Sequence, residues 1–470
     1  MKILNGILII ILLTSQIFGQ QKDLSGSWSG KLELPNSMKL TVVFHLERDS
    51  NGMYTATMDS PDQGAKGIPT ESTTIMEDSI LIKIPAVKGF YKGKIFTDSM
   101  QIDGKWKQSG MTLNLIIKKV DKIEEANRPQ EPKEPYPYKS EDVTFENKID
   151  SVTLAGTLTL PDSGENFPAV VLITGSGAQN RNEELLGHKP FLVIADYLTR
   201  NGFAVLRYDD RGYAKSTGNF ASATTEDFVI DALAAVEYLK GRSEIDHSKI
   251  GLMGHSEGGL IAPMAAVKSS DVAFIIMLAG PGLPGDSILI LQSELIQKVM
   301  GNNYEDIQKS LSINRKIFSL IKNSNDDENL KKQINEVLNS EISKMTDEEK
   351  SKMGDTEAYV NQQIKTLTSP WFKYFVKYDP RPTLEKVKCP VLAIDGENDL
   401  QVPAKQNLAS IESVLKKGGN ENFETVLLPG LNHLFQTSKT GAVSEYGTIE
   451  ETIAPKALVT ILEWLKKTTE

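Results

Sequence analysis

Six continuous apolar runs constrain this chain more than any other feature: PAVVLIT, FAVLRYD, KIGLMG, AFIIMLA, PVLAID and FETVLLP. A strand with one face in water alternates apolar and polar residues. These runs do not alternate, so both of their faces are buried. Between them FLVIADYLTRNG, DFVIDALAAVEYLKG and LIAPMAAVK carry apolar residues at helical spacing. Strand–helix–strand alternation builds a mostly parallel sheet with right-handed crossovers and flanking helices. An α/β fold is therefore expected over residues 141–470, entered by an antiparallel hairpin, EDVTFENK and SVTLAGTLTL. The stretch between AFIIMLA and PVLAID is far longer than an ordinary loop. It is polar and helical, with Ile288, Leu291, Leu295 and Val299 spaced along one helix face. It predicts an inserted helical cap over about 285–378.

Residues 22–120 follow a different period. GSWSGKLEL, KLTVVFHLER, SILIKIP, GFYKGKIF, MQIDGKWKQ and MTLNLIIKK alternate in short runs separated or interrupted by turn residues. That pattern predicts a small all-β sandwich or barrel, and the stretch resembles a lipocalin-like barrel. It holds one histidine, His45, and no compact acidic cluster, so it is read as a packing or spacer unit, with substrate or surface binding as the alternative. Residues 121–140, with four prolines and many charges, read as an extended linker.

At the N-terminus Lys2 precedes an apolar run over 7–13, with Gly19 beyond it. The run is too short to span a bilayer. It predicts a signal peptide over 1–20, hence export to the periplasm or medium, with no membrane span after cleavage. The net charge of −10 is spread along the chain and excludes a general attraction to nucleic acid. The single cysteine, Cys389, forms no disulfide within the chain and reads as a buried core thiol.

The chemistry concentrates in Gly254-His255-Ser256-Glu257-Gly258-Gly259, which follows an apolar strand and precedes a helix. That is the context of a G-x-S-x-G nucleophile elbow. The sharp turn lifts the Ser256 hydroxyl to the carboxyl edge of the sheet, and the flanking glycines admit close backbone. A serine needs an adjacent base. His433, in LPGLNHLFQ after the last strand, is the one histidine of five that follows the elbow. The acid belongs between them in chain order. PVLAIDGENDLQVP offers Asp395, Glu397 and Asp399. Asp399 is preferred, because it lies in the loop beyond the strand. Backbone amides must meet the developing oxyanion. Glu257, after the nucleophile, supplies one. Ser176 in the loop Thr174-Gly175-Ser176-Gly177 supplies the other, with Gly177 second. No Lys-Ser/Thr follows those glycines, which disfavours a phosphate loop. Asp209-Asp210-Arg211-Gly212 reads as a loop brace. Pro370-Trp371-Phe372-Lys373-Tyr374-Phe375 in the cap either lines an acyl pocket or packs the cap onto the sheet.

Together these segments resemble the α/β-hydrolase superfamily. GHSEGG, TGSGAQNRNE, RYDDRG and IDGENDLQVP resemble, more narrowly, bacterial carboxylesterases of the dienelactone-hydrolase-like and serine-aminopeptidase-like groups that carry an N-terminal β domain. The chain departs from many of these at Thr174, where they have histidine before glycine. The resemblance implies a serine hydrolase acting on a small-molecule ester through Ser256, His433 and Asp399, with no metal or organic cofactor. A peptidase on the same triad, and a non-catalytic secreted binding protein, are the rival expectations.

Overall fold

The computed structural model describes residues 23–34, 39–63, 65–108, 110–123, 127–353 and 355–470; the expected signal segment lies outside them. The first sheet is an antiparallel meander of β1 (Gly26–Glu33), β2 (Lys39–Arg48), β3 (Tyr54–Ser60), β4 (Ala65–Pro69), β5 (Ser72–Met76), β6 (Ser79–Ile84), β7 (Gly89–Phe96), β8 (Gln101–Gln108) and β9 (Met111–Val120). Pairing of β1 with β9 places β4 and β5 at the two edges. Because β4 and β5 are also consecutive in the chain, the sheet curls into a half-barrel. Alternation sends Trp28, Phe44, Ile82, Tyr91, Ile102 and Leu115 inward. The buried Trp28 indole donates to Leu24 O (2.8 Å), and the Tyr91 hydroxyl lies 3.1 Å from Ile102 O and Leu115 O.

The second sheet contains β10 (Tyr138–Asn147), β11 (Val152–Pro161), β12 (Phe167–Ile173), β13 (Ala204–Tyr208), β14 (Ile245–His255), β15 (Phe274–Leu278), β16 (Val391–Gly396) and β17 (Phe423–Leu428). Its order is β10-β11-β13-β12-β14-β15-β16-β17, with the β10–β11 and β11–β13 pairs antiparallel and every later pair parallel. Helices α1 (Pro190–Arg200), α2 (Thr225–Lys240) and α3 (Gly258–Lys268) follow the early strands. The cap is α4 (Gly285–Val299), α5 (Tyr304–Asn323), α6 (Asp327–Ser343), α7 (Asp347–Met353), α8 (Thr356–Leu367) and α9 (Pro370–Lys377). The chain returns through α10 (Arg381–Leu384), α11 (Ala404–Lys417), α12 (Val443–Tyr446) and α13 (Pro455–Thr469). Residues of α2, α3 and α11 cover one face of the sheet, and those of α1 and α13 the other. This is the α/β-hydrolase fold, preceded by a barrel-like β unit. No helix among the described residues is long and apolar enough to cross a membrane.

Two expectations need correction. The apolar face of α4 is not a single stripe: Ile288 is buried, Leu289 and Ile290 pack on the cap core, and Val299 is 40 % exposed. The helix lies between α5 and α9, so residues on two sides are covered. Cys389 is half-buried against the core rather than enclosed, and its burial pushes the thiol up to about 11. The segment joining the sheets is also tied down. Arg128 donates to Leu186 O, Gly187 O, Gly447 O and Ile449 O at 2.9–3.1 Å. Tyr138, within that segment, already begins β10.

Candidate active site

β14 ends at His255 and α3 begins at Gly258, so the turn between them is very tight. Ser256 has φ +52°, a left-handed conformation that only a well-braced non-glycine residue holds. Its amide donates to Leu278 O on β15 (2.8 Å). A Cβ at Gly254 would strike the carbonyl of Gly258, and one at Gly258 would strike that of Ile173. Both positions need glycine for that close approach.

Asp399 lies just past β16 and His433 just past β17, both at the carboxyl edge where Ser256 sits. Asp399 Oδ2 is 2.6 Å from His433 Nδ1, while its Oδ1 accepts from the amides of Gln401 (2.7 Å) and Val402 (2.8 Å). Both residues are buried. The other two acids do not reach the imidazole: Asp395 Oδ1 accepts from Gly396 N (2.7 Å) and Glu397 Oε2 from Gly430 N (3.2 Å). Burial, and then the neighbouring Asp399 charge, push Asp395 well above the usual carboxylate range.

The loop after β12 is held by three buried acids. Thr174 Oγ1 donates to Asp210 Oδ1 (2.7 Å), and the Gly175 amide donates to Glu183 Oε1 (2.8 Å). The Ser176 side chain bonds to Glu257. Gly175 N is thus already engaged, and Ser176, the expected oxyanion donor, lines the cavity. Glu257 Oε1 also accepts from Thr225 Oγ1 (2.7 Å) and Trp371 Nε1 (2.8 Å). Burial pushes this carboxyl up, against the three hydrogen bonds that favour its charged form.

Glu183 and His255 carried no role in the sequence reading. His255 Nδ1 lies 2.8 Å from Glu183 Oε1, and its Nε2 lies 2.9 Å from the main-chain oxygen of His433. Their only sequence signal is position, beside Ser256 and downstream of the glycine-rich loop. The remaining histidines lie elsewhere. His45 contacts Ser27 and Asp59, His188 contacts Thr452 and Tyr446 O, and His247 is at the surface. Asp209 pairs with Arg181 and Arg211 with Asp231, so DDRG braces loops as expected, while its Asp210 also holds the loop that contains Ser176.

Residues 189–438, more than half of the chain, match the family model described as serine aminopeptidase, S33. The chain belongs to this family. The chain is 26 % identical over 293 residues to Esterase EstD of Thermotoga maritima, covering 62 % of this chain and 60 % of that one. It is 26 % identical over 186 residues to an uncharacterized protein of Mycobacterium tuberculosis, covering 39 % of this chain and 62 % of that one. The chain thus spans about three fifths of the length of these curated relatives. Among solved structures, an esterase of Pyrococcus furiosus aligns with a TM-score of 0.44 at 16 % identity, covering 74 % of this chain and 100 % of that one.

In this family member Ser256, His433, Ser176 and Glu257 line one cavity of about 220 Å³. The cap supplies Ile288, Leu289, Trp371 and Phe375, and Gln179, Gln292 and Gln401 add neutral polar groups. The cap's aromatic segment both lines this cavity and packs the cap. Trp371 and Phe375, stacked at 5.5 Å, line the cavity, while Phe372 joins the cap core and Tyr374 packs on the sheet's helices. Cap acids sit at helix starts: Asp326 caps α6, and Asp327 pairs with Lys373 at 2.7 Å.

Proposed function

We propose that the chain is an exported serine hydrolase of carboxylic esters. The carrying observation is the buried His433–Asp399 contact (2.6 Å) opening on the same cavity as Ser256 in its strained turn. Ser256 Oγ attacks the ester carbonyl while His433 Nε2 takes its proton. Asp399 fixes the imidazole and stabilises its cation. The amides of Ser176 and Glu257 meet the tetrahedral oxyanion. His433 then protonates the leaving alcohol, and water clears the acyl-enzyme by the reverse sequence. Export rests on the apolar run after Lys2.

An aminopeptidase needs carboxylates free to hold a substrate ammonium. Glu183 and Glu257 do line the cavity, but each gives an oxygen to internal donors, and burial draws Glu257 toward its neutral form. The apolar and amide lining suits an uncharged acyl group better. Turnover of p-nitrophenyl esters from acetate to long chains, beside an aminoacyl p-nitroanilide, tests the reading. Esters turned over by the wild type and not by Ser256→Ala support it. Amide turnover exceeding ester turnover replaces it with a peptidase. No turnover and no labelling by a serine-directed phosphonate replaces it with a binding protein.

A further inference from the structure

Behind Asp399 and His433 lies a second buried acid–imidazole pair, Glu183 and His255, 4 % and 6 % exposed. The atoms restrict where its protons sit. His255 Nε2 faces the His433 carbonyl at 2.9 Å, and a carbonyl only accepts, so Nε2 carries a proton. Glu183 Oε1 accepts from the Gly175 amide at 2.8 Å while also lying 2.8 Å from His255 Nδ1. A neutral ring with its proton on Nε2 would set the Nδ1 lone pair against that oxygen. A second ring proton, on Nδ1, turns the repulsion into a charge-assisted hydrogen bond.

The pair also touches the nucleophile, the oxyanion loop and the base of the proposed reaction. His255 is bonded to Ser256 in the chain, Gly175 to Ser176, and the carbonyl that His255 holds belongs to His433 itself. The rings of His255 and His433 are 4.8 Å apart and tilted by 45°, so the two rings pack against each other. We propose that Glu183 and His255 are positioning residues, a buried carboxylate–imidazolium clamp that holds nucleophile, oxyanion loop and base at fixed separation. This rests on the reading of Ser256, His433 and Asp399 as the catalytic groups. Burial opposes charge on the ring, yet the Glu183 carboxylate outweighs it and holds His255 above the usual imidazole range. The other titratable groups near the pair are Asp399 and His433, and Asp210 beside Glu183.

The first measurement is a ¹H–¹⁵N spectrum of the ring nitrogens in the full-length, histidine-labelled wild type at pH 8. Both nitrogens of His255 protonated is the expected result, with the ring assigned in the wild type from its through-space contacts to the His433 ring 4.8 Å away. An unprotonated Nδ1 overturns the proposal whether or not any variant folds. The second is kinetics of Glu183→Gln and His255→Gln on a p-nitrophenyl ester. A displaced catalytic group costs on the order of 100-fold. We expect kcat to fall by about 10- to 100-fold with KM changed by less than about threefold, and phosphonate labelling of Ser256 to slow in parallel. Unchanged kcat in both folded variants overturns the clamp. Turnover surviving in Ser256→Ala instead overturns the underlying triad, a different result from either.

Discussion

The two sheets bury different things. Inside the half-barrel of β1–β9 the core is Trp, Phe, Tyr, Ile and Leu, with each buried indole or phenol tip satisfied locally. The parallel sheet has an equally apolar body, but at its carboxyl edge it buries Glu183, Asp210, His255, Glu257, Asp395, Asp399 and His433. Burying an ionisable group opposes folding unless partners compensate. Such groups cluster around the one cavity on which the proposed reaction rests, and the half-barrel holds nothing comparable among its described residues. That contrast can be broken at several points.

The largest effect belongs to Ser256→Ala. Ester turnover should fall by about 10⁵- to 10⁶-fold, with the folded state intact by circular dichroism. Asp399→Asn comes next. It keeps the size of the side chain but inverts the donor pattern toward His433 Nδ1, so kcat should fall by about 10⁴-fold. A loss in Asp395→Asn as large as in Asp399→Asn would show that the wrong acid has been assigned.

Trp371→Phe tests whether the cap is wired to the elbow. The substitution retains an aromatic ring against Phe375 but removes the donor to Glu257 Oε1. A buried acceptor deprived of one partner costs about 1–3 kcal/mol. We expect kcat/KM to fall by about tenfold, equivalent to about 1.4 kcal/mol. An unchanged value would mean that the cap merely covers the cavity.

Legibility in the sequence follows the same contrast. The strands of the parallel sheet were readable because burial on both faces makes them continuously apolar. In the half-barrel β3, β4 and β5 were not, because YTATMDS, AKGIP and STTIM are short and polar and lie at or near the sheet's edges. Ser256, Asp399 and His433 could be named from chain order and turn chemistry alone. Glu183 and His255 could not, and neither could the bond from Trp371 to Glu257. Their contacts join residues 72 and 114 positions apart, and no local pattern encodes such pairing. The Arg128 anchor escaped for the same reason, since a proline-rich segment reads as a spacer whatever it touches.

Leu40→Ala probes the seam between the two regions. Leu40 on β2 is buried with Leu186, Leu434 and Tyr446 of the hydrolase unit, and Leu434 also lines the cavity. Truncation should lower stability by about 2 kcal/mol in chemical denaturation. Turnover per folded molecule should hold if the half-barrel only packs against the site. A drop in turnover would give the half-barrel a part in shaping the cavity and weaken the contrast.

The smallest effect, and the one that isolates the cost of buried charge, is Asp395→Asn. Asp395 Oδ2 has no hydrogen-bond donor among the described residues, and its near neighbour is the Asp399 carboxyl, another acceptor. Burial, and then a neighbouring acceptor that meets it favourably only with a proton between them, hold Asp395 well above the usual carboxylate range. A carboxyl whose folded pKa is raised adds stability while protonated. That contribution is complete below the ordinary carboxylate pKa and is lost as pH rises through the elevated one. Asparagine replaces the shared proton with an N–H donor that does not titrate and still offers Oδ1 to Gly396 N. Denaturant midpoints should therefore decline less with rising pH in Asp395→Asn than in the wild type. At pH values above the elevated titration the variant should be the more stable by about 1 kcal/mol, and kcat should be nearly unchanged. Parallel stability profiles in the two proteins would mean that Asp395 stays charged when folded, and that some donor other than its own proton compensates it.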